Sequence, residues 1–282
     1  MNINWYPGHM KKTKESIQNN LKLVDVIFEL IDARIPYSSR NPMIDMIVGD
    51  KARVIILNKS DLADSKVNII WQDFFNKSSI PSVLIDALKG KGIDKLISLS
   101  NEVTSEKRLA YAKKGVKNLP IRAMIIGIPN VGKSTLINTL TERRGAKTGN
   151  KPGITKSNQW IKTKGNLELL DTPGILWPKF EDQQVGLNLA FTGAIKDEIL
   201  DVETLALRFI EDMIKIYPEL LIDRYKVNLE DKTALEILDS IGRIRGCIVK
   251  GGEIDYTKAG NIILDDFRKG NMGRITLELP ES

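Results

Sequence analysis

The sequence predicts an α/β domain with a mostly parallel, doubly wound sheet, followed by a smaller, mostly α-helical C-terminal domain. Two observations lead to this prediction. Up to about residue 178, apolar strand-like runs alternate with helical segments, which is the pattern of a parallel sheet covered by helices. Beyond that point apolar residues recur at helical spacing. We therefore place the two domains at residues 1–178 and 179–282.

Each element of the first domain rests on a short apolar or amphipathic run. The stretch MKKTKESIQNNLKLVD (10–25) has the spacing of a basic amphipathic helix. Strands are predicted at VDVIFELID (24–32), RVIILNKSD (53–61), PSVLIDA (81–87) and PIRAMIIG (120–127), and a hairpin with a Lys-Gly turn at NQWIKTKGNLELLD (158–171). Further helices are predicted near 66–77, at GIDKLISLSNEV (92–103) and at KSTLINTL (133–140), while 106–120 is predicted to be a charged connector.

Three helices are predicted in the second domain, at ETLALRFIEDMIKIY (203–217), KTALEILDSIGRI (232–244) and DYTKAGNIILDDFRKG (255–270). The 282 residues are 42% hydrophobic and 28% charged, as in a globular protein. The single Cys247 excludes a disulfide framework and a cysteine metal cluster, and we expect it to be a small buried side chain. We expect a cytoplasmic protein, because we find no membrane-length apolar run and no signal-peptide pattern.

Charge is unevenly distributed along the chain. The net charge is +6, but residues 1–179 carry 29 Lys and Arg against 16 Asp and Glu, whereas residues 180–282 carry 13 against 20. A basic first part favours a polyanionic partner, nucleic acid above all. A solvated basic surface without a partner explains the charge equally well.

A phosphate-binding loop is predicted at GIPNVGKS (127–134), because it fits G-x-x-x-x-G-K-S and lies between a strand and a helix. The glycines let backbone N–H groups turn toward phosphate oxygens, helped by the following helix N-terminus. Lys133 is expected to neutralise the β- and γ-phosphates, and the Ser134 hydroxyl to bind Mg²⁺. The residues expected around the nucleotide are Asn130, Val131, Gly132, Lys133, Ser134 and Thr135.

A guanine-binding loop is predicted at Asn58, Lys59, Ser60 and Asp61, directly after a buried strand. In N-K-x-D the carboxylate, here Asp61, accepts hydrogen bonds from guanine N1–H and the 2-amino group, and adenine offers neither donor there. We expect Asn58 to bond the base edge and the Lys59 stem to cover the ring. Alone, this short motif is usually a surface turn, but beside a phosphate loop it is a strong signal.

Three further segments complete the predicted site. After the third strand, Asp86 and Ala87 are expected to place a backbone N–H, that of Ala87, at guanine O6, although this motif is loose. In DTPG (171–174), Asp171 is expected to hold Mg²⁺ through water, and the Gly174 N–H to contact the γ-phosphate. In NKPGITK (150–156), Thr155 is a candidate for contacts with Mg²⁺ and the γ-phosphate, the alternative being a turn threonine.

The order of these motifs is unusual, because NKSD precedes the phosphate loop. This order resembles that of circularly permuted GTPases, whose packed strands stay the same. More closely, the chain resembles the ribosome-biogenesis GTPase A family (YlqF type). The resemblance extends over nearly the whole chain: WYPGHM (5–10), DARIPYSSRNP (32–42), NKSD, GIPNVGKS, NKPGIT, DTPGILWPK (171–179) and RGCIVKGGEIDY (245–256).

The resemblance implies a P-loop GTPase fold, circularly permuted, and a function in late maturation of the bacterial large ribosomal subunit. It implies that the chain binds ribosomal RNA in the large-subunit precursor, hydrolyses GTP and leaves; we expect a monomer without stable membrane association. The second domain is acidic, so RNA contact there would need a local cluster such as Arg243, Arg245 and Lys250. Cations that favour a helix C-terminus are an equal explanation of that cluster.

One position raises a question about catalysis, because Ile175 stands where many GTPases carry the glutamine that orients water. The resemblance implies that His9, the only histidine, takes part in catalysis, since an imidazole exchanges protons near neutral pH. Asn130 resembles the asparagine of potassium-dependent GTPases, in which K⁺ supplies charge beside the phosphates. An inert terminal histidine and a loop-forming asparagine are the alternatives.

Two other functions are also compatible with the sequence. In the first, GTP acts as a clamp for RNA docking and hydrolysis is incidental. In the second, the chain regulates a non-ribosomal partner, for example at a membrane surface through the basic N-terminal helix, although that helix lacks an aromatic-rich apolar face.

Overall fold

The protein, seen here in a computed structural model, is described for residues 10–116, 118–141, 160–170, 182–195 and 201–280. Six strands of the described residues form one sheet in the order β3-β2-β1-β4-β6-β5. They are β1 (Val26–Asp32), β2 (Arg53–Asn58), β3 (Ser82–Ile85), β4 (Ile121–Gly127), β5 (Trp160–Lys162) and β6 (Leu167–Leu170). Only β5 pairs antiparallel within this sheet, so the predicted strands and mostly parallel sheet are confirmed.

The register of the strands brings the carboxyl ends of the central strands to one edge of the sheet. Asp32 at the end of β1 is aligned with Asn58 at the end of β2, and Leu30 of β1 with Gly127 at the end of β4. The loops that follow these strands therefore start side by side. In doubly wound sheets this edge is where ligands bind.

Eleven α-helices are assigned within the described residues. They are α1 (Met10–Leu21), α2 (Met43–Val48), α3 (Ser65–Lys77), α4 (Ile93–Val103), α5 (Ser105–Lys113), α6 (Lys133–Thr141), α7 (Gln183–Phe191), α8 (Val202–Ile216), α9 (Pro218–Tyr225), α10 (Ala234–Ile244) and α11 (Tyr256–Lys269). The seven predicted helices are confirmed as α1, α3, α4, α6, α8, α10 and α11. Helices α2, α7 and α9 were not predicted.

Two predictions need correction. The predicted charged connector at 106–120 is helical in its first part, because α5 extends to Lys113; this helix has no buried residue and hence no apolar face for periodicity to reveal. The hairpin turn is longer than a Lys-Gly pair, because the Thr163 N–H donates to Leu167 O (2.9 Å) around a short 3₁₀ turn. Gly165 has φ = 69° there, and a Cβ would lie 2.6 Å from the Ile97 side chain, so this turn requires glycine.

Helices cover both faces of the sheet, as the doubly wound prediction requires. On one face, Phe28 and Ile125 belong to the main apolar cluster with Leu96 of α4 and Leu136 of α6. The other face packs in two smaller clusters, one with residues of α1 and α2 and one with residues of α3. Burial of these apolar strands is the main term that holds the sheet and its loops in place.

A second apolar core lies in the C-terminal part of the chain. The Phe209 ring on α8 lies between the Phe191 ring (5.2 Å between centroids) and the Phe267 ring on α11 (4.9 Å). Cys247 is fully buried in this core, which confirms its predicted place. None of the described helices is both long and apolar enough to cross a bilayer.

The two cores are interlocked rather than joined at a single point. In α7, Val185 and Leu189 pack in the first core, whereas Ala190 and Phe191 pack in the second. Most of the surface of α7 is buried, so this helix has no distinct polar and apolar faces. The sequence pattern therefore did not predict it. The boundary at 178/179 itself stays a prediction.

The segment 275–278 returns from the second core to the first domain. Ile275 N–H donates to Leu62 O (3.0 Å), and Trp71 Nε1 donates to Glu278 O (3.0 Å). The Glu278 carboxylate accepts from the N–H groups of Tyr37 (2.7 Å) and Ser38 (3.0 Å). It also accepts from the Ser38 hydroxyl and from Asn188 Nδ2 (2.8 Å) on α7. Glu278 thus ties the loop after β1 to α7.

We predict that Phe209→Ala lowers the free energy of unfolding by about 3–5 kcal/mol, because it leaves a cavity between two aromatic rings. Denaturant unfolding followed by circular dichroism measures this. Ile216→Ala, on the same helix but 43% exposed, is the control and should cost at most about 1 kcal/mol. Equal losses in the two variants would contradict this account of the second core.

Candidate nucleotide-binding site

The loops predicted to bind nucleotide meet at the carboxyl edge of the sheet. The N-K-S-D loop follows β2, the segment Asp86–Ala87 follows β3, and the phosphate loop follows β4. Of the predicted site residues, the structure brings together Asn58, Lys59, Ser60, Asp61, Asp86, Ala87, Asn130, Val131, Gly132, Lys133, Ser134 and Thr135. The others, His9, Thr155, Asp171 and Gly174, lie outside the described residues, as does Ile175.

The Asn58 side chain joins the three loops. It is 2% exposed, its Nδ2 donates to Val131 O (2.8 Å), and its Oδ1 accepts from the Ala87 N–H (3.1 Å). The Ser60 N–H adds a bond to Ile85 O (3.1 Å) at the end of β3. Asn58 therefore positions the loops, a role the sequence did not reveal. Its contact with the base edge, and that of the Ala87 N–H with guanine O6, stay predictions.

Glycine is required at two positions of the phosphate loop, because neighbouring atoms lie too close for a side chain. Gly132 has φ = 106°, and a Cβ there would lie 2.3 Å from Asn58 Nδ2. At Gly127 a Cβ would lie 2.4 Å from Leu30 O on the neighbouring strand. Both positions therefore exclude a side chain, and the phosphate loop sits directly on β1 and on Asn58. Such a backbone cradle fits the pyrophosphate of a nucleotide.

Lys133, Ser134 and Thr135 form the first turn of α6, where N–H groups and the helix dipole favour an anion. The Lys133 ammonium donates to Gly127 O (3.1 Å) and Ile128 O (2.8 Å), so it lies folded over its own loop. From there it can reach phosphate oxygens by rotating its side chain. This geometry suits the predicted role of Lys133 in charge neutralisation.

Lys59 and Asn130 connect the base loop with the phosphate loop. The Lys59 ammonium donates to Asn130 O (2.9 Å) and to Asp32 Oδ2 (3.0 Å). Asn130 has φ = 58°, and its Nδ2 donates to Gly193 O (2.6 Å), just beyond α7.

Asp61 is 28% exposed at its side chain and can meet a ligand at the edge of the sheet. Lys89 lies between it and the buried Asp86, with Nζ 3.7 Å from Asp61 Oδ2 and 3.6 Å from Asp86 Oδ2. The Lys89 N–H also donates to Asp86 Oδ1 (3.0 Å). Lys89 offsets the repulsion between the two carboxylates. Sequence reasoning missed it, although its place three residues after Asp86 is a signal for a turn closed by the aspartate.

Asp32 and Arg34 are also close to the site, though no role was predicted for them. Asp32 is buried, and burial alone would raise the pKa of its carboxyl. The Arg34 guanidinium and the Lys59 ammonium outweigh burial and hold that pKa below its usual range. The carboxylate therefore stays ionised at the base of the site and orients Lys59.

We predict that Gly132→Ala weakens the binding of GDP at least about tenfold, because the added methyl group displaces Asn58 and the loop it holds. Titration with a fluorescent GDP analogue measures the affinity. Gly251→Ala is the matched control: Gly251 has φ = 111°, so it bears similar backbone strain, but a Cβ there meets nothing within 4 Å. If both variants bind GDP like the unmodified protein, the proposed cradle is wrong.

The comparisons with known proteins agree with this geometry. A family model described as "50S ribosome-binding GTPase" matches residues 122–241. The chain is 50% identical to a ribosome biogenesis GTPase A of Bacillus pumilus, with all of both chains covered. It is 31% identical to a protein of the same name from Thermotoga maritima, covering 99% of this chain and 95% of the relative.

Solved structures give the same result. A GDP-bound YlqF superposes with a TM-score of 0.70 at 25% identity, covering 95% of this chain and 100% of the other. A GNP-bound YlqF from T. maritima has a TM-score of 0.67 at 26% identity, covering 96% and 99%. The fold is that of a circularly permuted P-loop GTPase. The full-length similarity shows that this chain belongs to the ribosome biogenesis GTPase A family, and it is a GTPase that binds guanine nucleotides.

Proposed function

We propose that this GTPase binds the precursor of the large ribosomal subunit, assists a late step of its maturation, and is released when GTP is hydrolysed. The observation that carries the proposal is the meeting of three nucleotide-binding loops at one edge of the sheet, in a chain whose full-length relatives are named for ribosome biogenesis. We propose that it acts in the cytoplasm, as a monomer without stable membrane association, with residues 179–282 as a domain that binds RNA or ribosomal protein.

The residues suit GTP with Mg²⁺. Asp61 would read guanine, and Lys133 would neutralise the β- and γ-phosphates. The Ser134 hydroxyl at the start of α6, with Thr155 and Asp171, would supply the oxygen ligands that Mg²⁺ prefers. The metal would offset the charge that develops on the phosphate oxygens.

Catalysis needs a substitute for the glutamine that Ile175 replaces. We propose that His9 orients the attacking water when the protein is bound to the particle, and that K⁺ held at Asn130 would supply positive charge near the phosphates. Hydrolysis by the isolated chain should then be slow, roughly 10⁻⁴ to 10⁻² s⁻¹, as in unassisted GTPases.

The helix α5 supports contact with RNA. It has no buried residue, and its C-terminal end carries the exposed Lys113 and Lys114. Lys107 on the same helix pairs with Asp25, just before β1, so α5 lies near the amino edge of the sheet, opposite the nucleotide site. Isolated short helices are marginal in water without packing, and a phosphate backbone is a partner that matches its charge.

A second candidate is supported by Ile175: a GTP-dependent RNA clamp, in which binding of GTP matters and hydrolysis is incidental. A hydrophobic side chain there can neither accept nor donate a hydrogen bond. The two candidates differ in what His9→Ala does to subunit assembly.

The first test is GTP turnover in KCl, alone and with purified large subunits or their precursors, with small subunits as control. We expect strong stimulation by large-subunit particles only, and loss of that stimulation in His9→Ala with GTP binding retained. If large-subunit particles still stimulate the His9→Ala variant, His9 has no role in catalysis. No stimulation by any particle would favour the clamp.

We predict that Lys113→Glu combined with Lys114→Glu weakens binding to large-subunit particles and leaves basal GTP turnover unchanged. Loss of two phosphate contacts should reduce the slope of log affinity against log salt by about 2. Lys66→Glu with Lys77→Glu, two exposed lysines of α3, makes the same change in net charge and is the control. If the control weakens binding equally, general charge rather than α5 is responsible.

A further inference from the structure

Arg34 is 1% exposed and is the largest fully buried side chain among the residues that the structure describes. A buried guanidinium is stable only when its charge and its donors have partners. Arg34 Nε donates to Asp32 Oδ1 (2.9 Å) and Nη2 to Asp32 Oδ2 (2.8 Å), which is a bidentate pair. Its remaining donor group points away from the nucleotide site, toward the second core.

That third group binds the end of α11. Arg34 Nη1 lies 3.4 Å from Phe267 O and 3.5 Å from Arg268 O, and the guanidinium stacks over the Phe267 ring at 4.8 Å. The last carbonyls of a helix lack intrahelical partners and attract a cation. Arg34 therefore links β1 of the first domain with the C-terminal end of a helix in the second core.

Asp32 continues this connection toward the nucleotide. Its Oδ2 accepts from Arg34 and from the Lys59 ammonium, and the same ammonium donates to Asn130 O in the phosphate loop. A series of charged hydrogen bonds thus runs from α11 through Arg34, Asp32 and Lys59 to the phosphate loop.

A second path joins the same two regions. The Asn130 side chain donates to Gly193 O, in the turn that follows α7. Arg268, at the end of α11, donates to Ala190 O (2.9 Å) and Phe191 O (2.9 Å) at the end of α7. Asn130 is therefore connected to residues 267–268 by two paths, one through its backbone oxygen and Lys59, and one through its side chain and the turn after α7.

We propose that Arg34 is a positioning residue for guanine nucleotide binding, and that it couples the conformation of the phosphate loop to the position of α11. Arg34 holds Asp32 in the orientation in which Lys59 can also reach Asn130 O. Without the guanidinium fork, Asp32 draws the Lys59 ammonium to itself and Asn130 O loses its donor. Nucleotide binding, which fixes the phosphate loop, then no longer orders the end of α11.

The test compares Arg34→Lys with Arg53→Lys. Lysine keeps the charge but cannot bridge both Asp32 oxygens and the α11 carbonyls together. Arg53 also pairs with a buried carboxylate, that of Glu29 (3.1 Å), but it lies at the start of β2, at the edge of the sheet opposite the nucleotide site. Both variants should unfold at a lower temperature, but only Arg34→Lys should bind GDP about tenfold more weakly. Unchanged GDP affinity in a folded Arg34→Lys protein would overturn the proposal.

A double-mutant cycle with Lys59→Met adds a readout that a purely structural role would not move. In the Lys59→Met background, Arg34→Lys should have no further effect on GDP affinity. Additive losses would show that Arg34 does not act through Lys59.

Hydrogen exchange covers the case in which Arg34→Lys fails to fold. In the unmodified protein, GDP should slow amide exchange at residues 267–270, and in Lys59→Met, saturated with GDP, that protection should be lost. Lys59 is partly exposed, so this variant is expected to fold. Full protection of 267–270 in Lys59→Met would overturn the proposed coupling. If the unmodified protein did not bind GDP, the assignment of the nucleotide site would be wrong instead.

Discussion

The buried side-chain amide of Asn58 is the constraint on which the nucleotide site depends. It satisfies one backbone carbonyl in the phosphate loop and one backbone N–H after β3, and removal of either partner would leave a buried polar group without a hydrogen bond. Gly132 approaches this amide so closely that a methyl group cannot fit. The loops for base and phosphate are therefore one unit, although they lie about seventy residues apart in the sequence.

Charged groups also help to position the residues of the site. The first part of the chain is basic, yet a buried carboxylate, that of Asp32, lies beside the site and is flanked by two cations. An ionised carboxylate there fixes the direction of Lys59, which a solvated lysine would not keep. The acidic second part contributes helix-end carbonyls rather than side-chain carboxylates to this network.

The sequence predicted most of the sheet and the loops that meet at its carboxyl edge, because buried parallel strands are continuous apolar runs and the loop motifs have fixed spacing. It did not predict α7, which is buried on most sides, or α5, which is buried on none, since neither has a polar and an apolar face. The roles of Arg34 and Lys89 were missed for another reason. Arg34 meets residues 233 positions away, and short motifs contain no information on such distant contacts. Lys89 acts only through its distance to two carboxylates.

The bond between Glu278 and the loop after β1 has a consequence for biosynthesis. The backbone N–H groups of Tyr37 and Ser38 find their acceptor 241 and 240 residues later in the chain. During vectorial translation the sheet can assemble long before that acceptor is made, because its strands end at residue 170. The loop beside the nucleotide site reaches its final shape only after the second core has been synthesised. These two hydrogen bonds therefore form only after the helices of the second core have been synthesised.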